Sequence, residues 1–294
     1  MESGLISAVS GALAQSRRIE ITANNLANAD TVGFKADGAI FEEYVQGANK
    51  QDTRQGMSNE IPNKIEHLNN SQKDKRVVLY GDEYINLKQG STVPTNNPLD
   101  IAIQGNGFLE VQSPDGIRLT RAGNLSLDRQ GRLVNRDGFL VLGQGNANGP
   151  AEQRAINIGN SKPVIDRDGA IYSRQGEAMQ QVGQLSIVQV GNPRALKKVG
   201  GSLFEAGEAA DLRSAGQGAA VGRDPAAAPN AKENPLGSLQ VPAVVHQGAL
   251  ESSNVNPIRE MTQMIEAHRI FEQNAKLMQS FGSMNEQSSA LGRF

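Results

Sequence analysis

Residues Ile21–Lys35 read ITANNLANADTVGFK. The run sets Asn24, Asn25 and Asn28 at the end of a segment that otherwise reads as a helix, then closes it with Gly33-Phe34. Asparagine is a mediocre helix former because its amide competes for nearby backbone groups. Toward the N-terminus, Leu5, Val9, Ala12, Ser16, Ile19, Ala23 and Leu26 alternate spacings of four and three. That is an a/d seam of about three heptads. It mixes small and large residues, so a neighbouring helix can approach closely. Gly4 and Gly11 each weaken an isolated helix by roughly 1 kcal/mol relative to Ala. The helix is therefore expected to form fully only against another helix. At its exit, Gly33 is expected at positive φ and Phe34 as an apolar anchor. Asn25 and Asn28 are expected to bond free carbonyls or neighbouring copies of the chain.

The C-terminal end has the same character. Asn256-Pro257 reads as an N-cap followed by Pro at the first helical position. Beyond it Met261, Met264, His268, Phe271, Ala275 and Met278 alternate three and four, and Ile258, Ile265, Leu277 and Phe281 broaden the stripe. The pattern predicts one helix to about Leu291, on the order of 50 Å long at ~1.5 Å per residue. Such length and methionine content exceed what a small core needs, and Met fills irregular gaps against several neighbours. Two readings follow. Either the terminal helices pack only on each other, or they pair and also pack against other copies; the second is preferred. The candidate self-association residues are thus Leu5, Val9, Ala12, Ser16, Ile19, Ala23, Leu26, Asn25, Asn28, Phe34, Ile258, Met261, Met264, Ile265, His268, Phe271, Ala275 and Met278.

Between the ends the pattern changes period. Leu99–Gln112, Ile117–Asp128, Gly131–Gly143 and Gly183–Val190 are short alternating runs. Turn signals at 114–116, 129–131, 136–138 and 167–169 punctuate them. Many short strands with Gly and Asp turns predict a compact, mainly antiparallel β domain. Val77–Gly90 is expected to add strands at its entrance. Residues 47–75 are strongly polar, and 205–240 are rich in Ala, Gly and Pro; both read as long loops or linkers. The expected organisation is an N-terminal helix and exit over 1–35, a polar linker over 36–76, a β domain over 77–204, a loop over 205–240, and a return segment with the last helix over 241–294. The fold class is α+β, with paired, coiled-coil-like terminal helices.

Composition narrows the chemistry. Only 38% of the 294 residues are hydrophobic, 4% are aromatic, and Trp is absent. A chain this poor in apolar residues builds a modest core for its length, leaving some apolar surface for partners. The net charge of −2, without a sustained basic run, gives no footprint for nucleic acid. The absence of cysteine removes disulfides, thiol catalysis and Cys-based metal sites. No stretch approaches the ~18 apolar residues of a membrane span. The acidic, Ser- and Gly-interrupted N-terminus has the wrong order for a cleaved signal peptide.

No catalytic or cofactor motif stands out. His67, His246 and His268 share no local pattern and read as solvated or core histidines. Asp166–Glu177 has acids at three calcium-loop positions, but Ile171 stands where that loop needs Gly, so it reads as a hairpin turn. Gly143–Gly149 lacks the G-x-G-x-x-G spacing, and Pro150 follows where a helix should begin. Metal ligands and cofactors are expected to be none.

Three stretches carry a resemblance. ITANNLANADTVGFK (21–35) resembles the N-terminal signature of bacterial flagellar axial proteins, the rod and hook family. Residues 250–278, LESSNVNPIREMTQMIEAHRIFEQNAKLM, resemble that family's C-terminal signature. NNPLDIAIQGNGFLEVQ (96–112) and RLTRAGNLSLDRQGRLV (118–134) resemble its central region. The resemblance implies a structural subunit of the basal-body rod, with paired terminal helices inside and a β domain outside. It implies export by the flagellar apparatus without cleavage and assembly in the periplasm with other copies and with other rod and hook proteins. Nucleic acid and membrane insertion play no part in it. The last helix, with Ile270-Phe271-Glu272, is more similar to proximal rod proteins than to the distal rod and hook type, which stays the alternative. A cell-wall-associated β-domain enzyme and a non-polymerising adaptor are the rivals from other classes.

Overall fold

The computed structural model of the chain describes residues 2–46, 75–145, 151–159, 162–175, 178–207, 212–214 and 243–291. Helix α1 (Glu2–Ala27) opens the chain and helix α2 (Pro257–Leu291) closes it. α2 begins at the proline that the sequence marked and runs 35 residues. Pro at the first turn loses nothing, because its missing N–H would have no intrahelical partner there. Neither helix is long and apolar enough to cross a membrane.

The strands are β1 (Asp37–Gln46), β2 (Lys75–Ile85), β3 (Thr92–Pro94), β4 (Ile101–Gln104), β5 (Phe108–Ser113), β6 (Gly116–Thr120), β7 (Ser126–Leu127), β8 (Leu133–Val134) and β9 (Leu140–Val141). They continue with β10 (Pro163–Ile165), β11 (Ala170–Gln175), β12 (Ala178–Gln184), β13 (Ile187–Val190), β14 (Leu196–Gly200), β15 (Leu203–Ala206), β16 (Leu212–Ser214), β17 (Val244–Gln247) and β18 (Ala249–Glu251). The largest sheet runs β14-β15-β6-β5-β9-β8-β7, with β13 joining β5 to β16. β10-β11-β12 form a second sheet, and β1-β2, β17-β4 and β18-β3 are pairs. The registers are antiparallel throughout the central sheets, as the alternating runs and tight turns predict. The turns close through Gly131 N–H to Asp128 (3.1 Å), Gly138 N–H to Asn135 (3.0 Å) and Gly169 N–H to Asp166 (2.9 Å). Asp166 thus heads a hairpin turn, the reading preferred over a calcium loop.

The chain divides into two units. The first holds Met1–Leu26, Asp37–Tyr84 and Pro257–Phe294; the second holds Ala27–Ala36 and Ile85–Asn256. β2 pairs with β1 rather than with the central sheets. Of the expected linker over 36–76, residues 37–46 form β1 and 47–74 lie outside the described residues. Most of the Ala/Gly/Pro-rich loop over 205–240 lies outside them too, apart from 205–207 and β16.

The second unit owns the apolar core. Ile101, Leu109, Val111, Leu133, Val141, Ile171 and Leu185 are fully buried in one cluster. Each contributes about 1.5–3 kcal/mol of burial. Phe108, Leu119, Val188, Leu196 and Phe204 make a second cluster, in which the Phe108 and Phe204 rings meet edge to face at 5.6 Å. Beside the first, Glu110 accepts from Ser186 Oγ (2.7 Å) and pairs with the Arg154 guanidinium. This satisfies a carboxylate that burial would otherwise penalise.

Candidate assembly faces and the helix exit

α1 and α2 are antiparallel neighbours in the first unit. A Cβ at Gly4 would lie 3.0 Å from the Phe281 ring, and one at Gly11 3.1 Å from the Asn274 amide. Further along, Asn25 Nδ2 reaches Glu260 Oε2 at 3.4 Å. As numbers rise along α1, its partners on α2 fall in step. The glycines let the helix axes come close, in the manner of small-residue seams.

The inward face of α1 therefore runs through Gly4, Ala8, Gly11, Gln15, Thr22 and Asn25. Ala8, Ala12, Ala14, Thr22 and Asn25 are buried. On α2, Ala267 is fully buried, and Met264, Phe271, Asn274, Ala275, Met278 and Phe281 are half-buried. The candidates on the helices sort accordingly. Ser16, Ile19, Ala23 and Leu26 are half-buried, and His268 is exposed. Leu5 (41%), Val9 (40%), Ile258 (74%), Met261 (44%) and Ile265 (62%) keep large apolar surface in water. Leu13, absent from the sequence-based set, is 67% exposed. It follows Leu5 and Val9 at steps of four, so the three share a stripe on the face of α1 away from α2. Ile258, Met261 and Ile265 make a second stripe near the start of α2, exposed as well. The signal for Leu13 was its spacing, which a strict a/d count passes over.

Asn25, one of the three amides of the opening stretch, accepts from the Asp37 N–H and donates to the Asp37 carbonyl, both at 2.9 Å. Its side chain thereby copies a peptide group and pairs with the first residue of β1. Asn24 Nδ2 adds a bond to Asp37 Oδ2 at 3.1 Å. The carbonyl that Asn25 meets thus belongs to the next strand of its own chain. Asn28 Oδ1 accepts instead from the Thr31 hydroxyl at 3.2 Å, fixing the turn that ends α1. Gly33 follows at φ 69°, and a Cβ there would sit 2.4 Å from Ala122 N. Phe34, 1% exposed, lies under Lys198, whose ammonium stands 3.8 Å from the ring centroid. Ala12, Asn25 and Phe34 offer no surface to another copy in this conformation.

Lys35 ends the stretch in a buried ion cluster of the second unit. Its Nζ donates to Glu251 Oε1 at 2.5 Å and to the Lys88 carbonyl at 2.9 Å. Glu251 also takes the Gly90 N–H at 2.9 Å and the Arg121 guanidinium at 3.2 Å. Arg121 caps the carbonyls of Ile103 and Gly105 and lies 4.9 Å from the centroid of the Phe108 ring. All three side chains are essentially without solvent contact. Burial pulls the Lys35 pKa below its usual 10.5, against the hydrogen bond and charge of Glu251 that pull it up. Burial likewise lowers Arg121, again opposed by Glu251. Sequence reading missed this cluster. Each member sits in one of the three recognised stretches, but no local pattern links positions 35, 121 and 251.

Of the histidines, His246 on β17 has Nε2 2.8 Å from Gln104 Oε1, and His67 lies outside the described residues. Among the described residues no three His, Asp or Glu side chains gather as for a metal ion.

A helix pair with outward apolar stripes, joined in sequence to an antiparallel β unit, defines a protein of the α+β class. The family described as flagella basal body rod protein matches residues 5–35. The flagellar hook protein FlgE/F/G D1 domain matches 102–191, and the flagellar basal body rod FlgEFG protein C-terminal domain matches 246–291. The flagellar basal-body rod protein FlgG of Caulobacter vibrioides is 33% identical over 98% of both chains. The flagellar basal-body rod protein FlgF of Mesorhizobium japonicum is 30% identical over 98% of this chain and 97% of its own. FlgG of Bacillus subtilis is 30% identical over 93% of both. The chain belongs to the flagellar basal-body rod protein family.

Proposed function

We propose that the chain is a structural subunit of the flagellar rod that assembles through α1 and α2 with other copies of itself and with other rod and hook proteins. The observation that carries this is the pair of apolar stripes, Leu5-Val9-Leu13 and Ile258-Met261-Ile265, which the first unit leaves in water. Two aliphatic stripes, one on each helix and at opposite ends of the antiparallel pair, are surfaces on which additional helices can dock to extend the pair into a coiled-coil-like bundle. A head-to-tail interface of this kind, repeated without closing into a ring, builds a helical shaft. Ser16, Ile19, Ala23, Leu26, Met264, His268, Phe271, Ala275 and Met278 are the remaining candidates on the two helices. The subunit reaches the periplasmic rod through the flagellar export apparatus, and its role is mechanical rather than catalytic.

Within the rod we place it at the cell-proximal end, on the likeness of its last helix to proximal rod proteins. Relatives named FlgF and FlgG match it at similar identity, so a density tag located in isolated basal bodies is the measurement that assigns its level. The assembly reading is tested by replacing Leu5, Val9 and Leu13 together with Ser. Loss of the subunit from basal bodies seen by electron microscopy, with loss of swimming, is expected. Normal incorporation of that variant overturns the reading.

A further inference from the structure

Residues Ala27–Ala36 leave the first unit after Leu26 and return to it at Asp37, and their contacts are made in the second unit. The two ends of this excursion are pinned together by the paired Asn25–Asp37 hydrogen bonds. It is therefore a closed loop whose base does not depend on where its tip is docked.

The docking joins a network of polar bonds to one buried ring, Phe34. Gly33 N–H donates to the Glu251 carbonyl at 2.8 Å, and Asn86 N–H to the Ala36 carbonyl at 2.8 Å. Ala36 N–H donates to Asn254 Oδ1 at 2.8 Å, and Lys198 Nζ to the Lys35 carbonyl at 2.7 Å. Phe34 is buried, yet it belongs to neither apolar cluster of the second unit. Nothing in that core is built from this loop, so its removal opens no cavity among the aliphatic residues that hold the β unit together.

Beside the Phe34 ring, what fixes the loop is charge. Lys35 and Arg121 share one carboxylate, Glu251, and Arg121 Nε is buried without a hydrogen-bond partner. The cluster carries one more positive than negative charge in a place closed to water. Such an arrangement holds only while every partner is present, because a buried charge left unpaired is far costlier than the intact cluster is stabilising. We propose that Ala27–Ala36 is a releasable latch that undocks from the second unit as one piece, with Lys35–Glu251–Arg121 as its catch. Docking is then all-or-none: the loop is held by a glutamate that the chain supplies only at its return, more than two hundred residues later. Local opening of this kind is a sub-global unit with its own free energy, lower than that of the whole domain.

Amide hydrogen exchange on the full chain tests this. In Glu251→Gln, exchange at Gly33 and Ala36 should rise by about a hundredfold. The core amides of Leu133 and Leu142, bonded to Ile156 and Glu110, and the Asp37 amide at the loop base should stay within about threefold. Lys35→Met leaves the Arg121–Glu251 pair intact, and the same two loop amides should quicken by about tenfold. That variant decides alone if Glu251→Gln does not fold. Parallel acceleration of Leu133 and Leu142, or no change at Gly33 and Ala36 in Lys35→Met, overturns the latch.

Discussion

The two units bury their residues by opposite means. The second hides its largest aliphatics, and Leu109, Leu133 and Leu185 have no exposed surface at all. In the first, α1 turns its small residues inward, Ala8, Ala12 and the glycines, and leaves Leu5, Val9 and Leu13 in water. A protein core normally sorts the other way. A helix pair closed by small residues gains close approach but little apolar burial, and its aliphatic stripes stay in water.

The contrast can be broken by substitution. Leu109→Ala should cost about 2–5 kcal/mol, the range for a fully buried Leu whose cavity cannot collapse; a urea titration of the purified chain reads it as a lower midpoint. Asn25→Ala should cost about 1–3 kcal/mol, because it strips two hydrogen bonds from the half-buried Asp37 backbone, and its effect should appear in α1 helicity by circular dichroism. The cost of burying Lys35 should show as a pH slope. Its folded pKa lies below 10.5, so the unfolded chain binds more protons between the two values. Stability therefore rises with pH through that window, and the penalty is present in full below the folded value. Glu251, Arg121 and Lys198 are the charged groups around Lys35, and Lys35→Met should flatten the slope relative to the parent chain in urea titrations at stepped pH. Leu13→Ser should change monomer stability by less than about 0.5 kcal/mol, yet impair incorporation into rods. A large loss of monomer stability would mean that the outward stripe is already occupied within the chain.

Periodicity made both helices legible in the sequence, and Asn256-Pro257 marked the start of α2. The antiparallel sheets were legible in the turn residues. The phase of α1 was less so. The expected seam through Leu5, Val9 and Ala12 and the observed inward face through Gly4, Ala8 and Gly11 share the same four-three alternation, displaced by one residue. A helix with usable residues on two faces satisfies the repeat twice, and only packing selects which face meets the neighbour. The roles of the amides could be posed but not settled, because Asn25 finds its partner on the strand twelve residues later. The ion cluster stayed hidden because Lys35, Arg121 and Glu251 meet only through the topology of the second unit.

Asn25 has a mechanical consequence. Two hydrogen bonds splice the end of α1 directly to the start of β1, in parallel with the covalent path through residues 27–36. Tension along α1 divides between a short, stiff route and a long, compliant one, and the short route carries it first. An asparagine placed where a helix should weaken thus becomes a shear joint, and the loop it bypasses is spared the load until that joint slips.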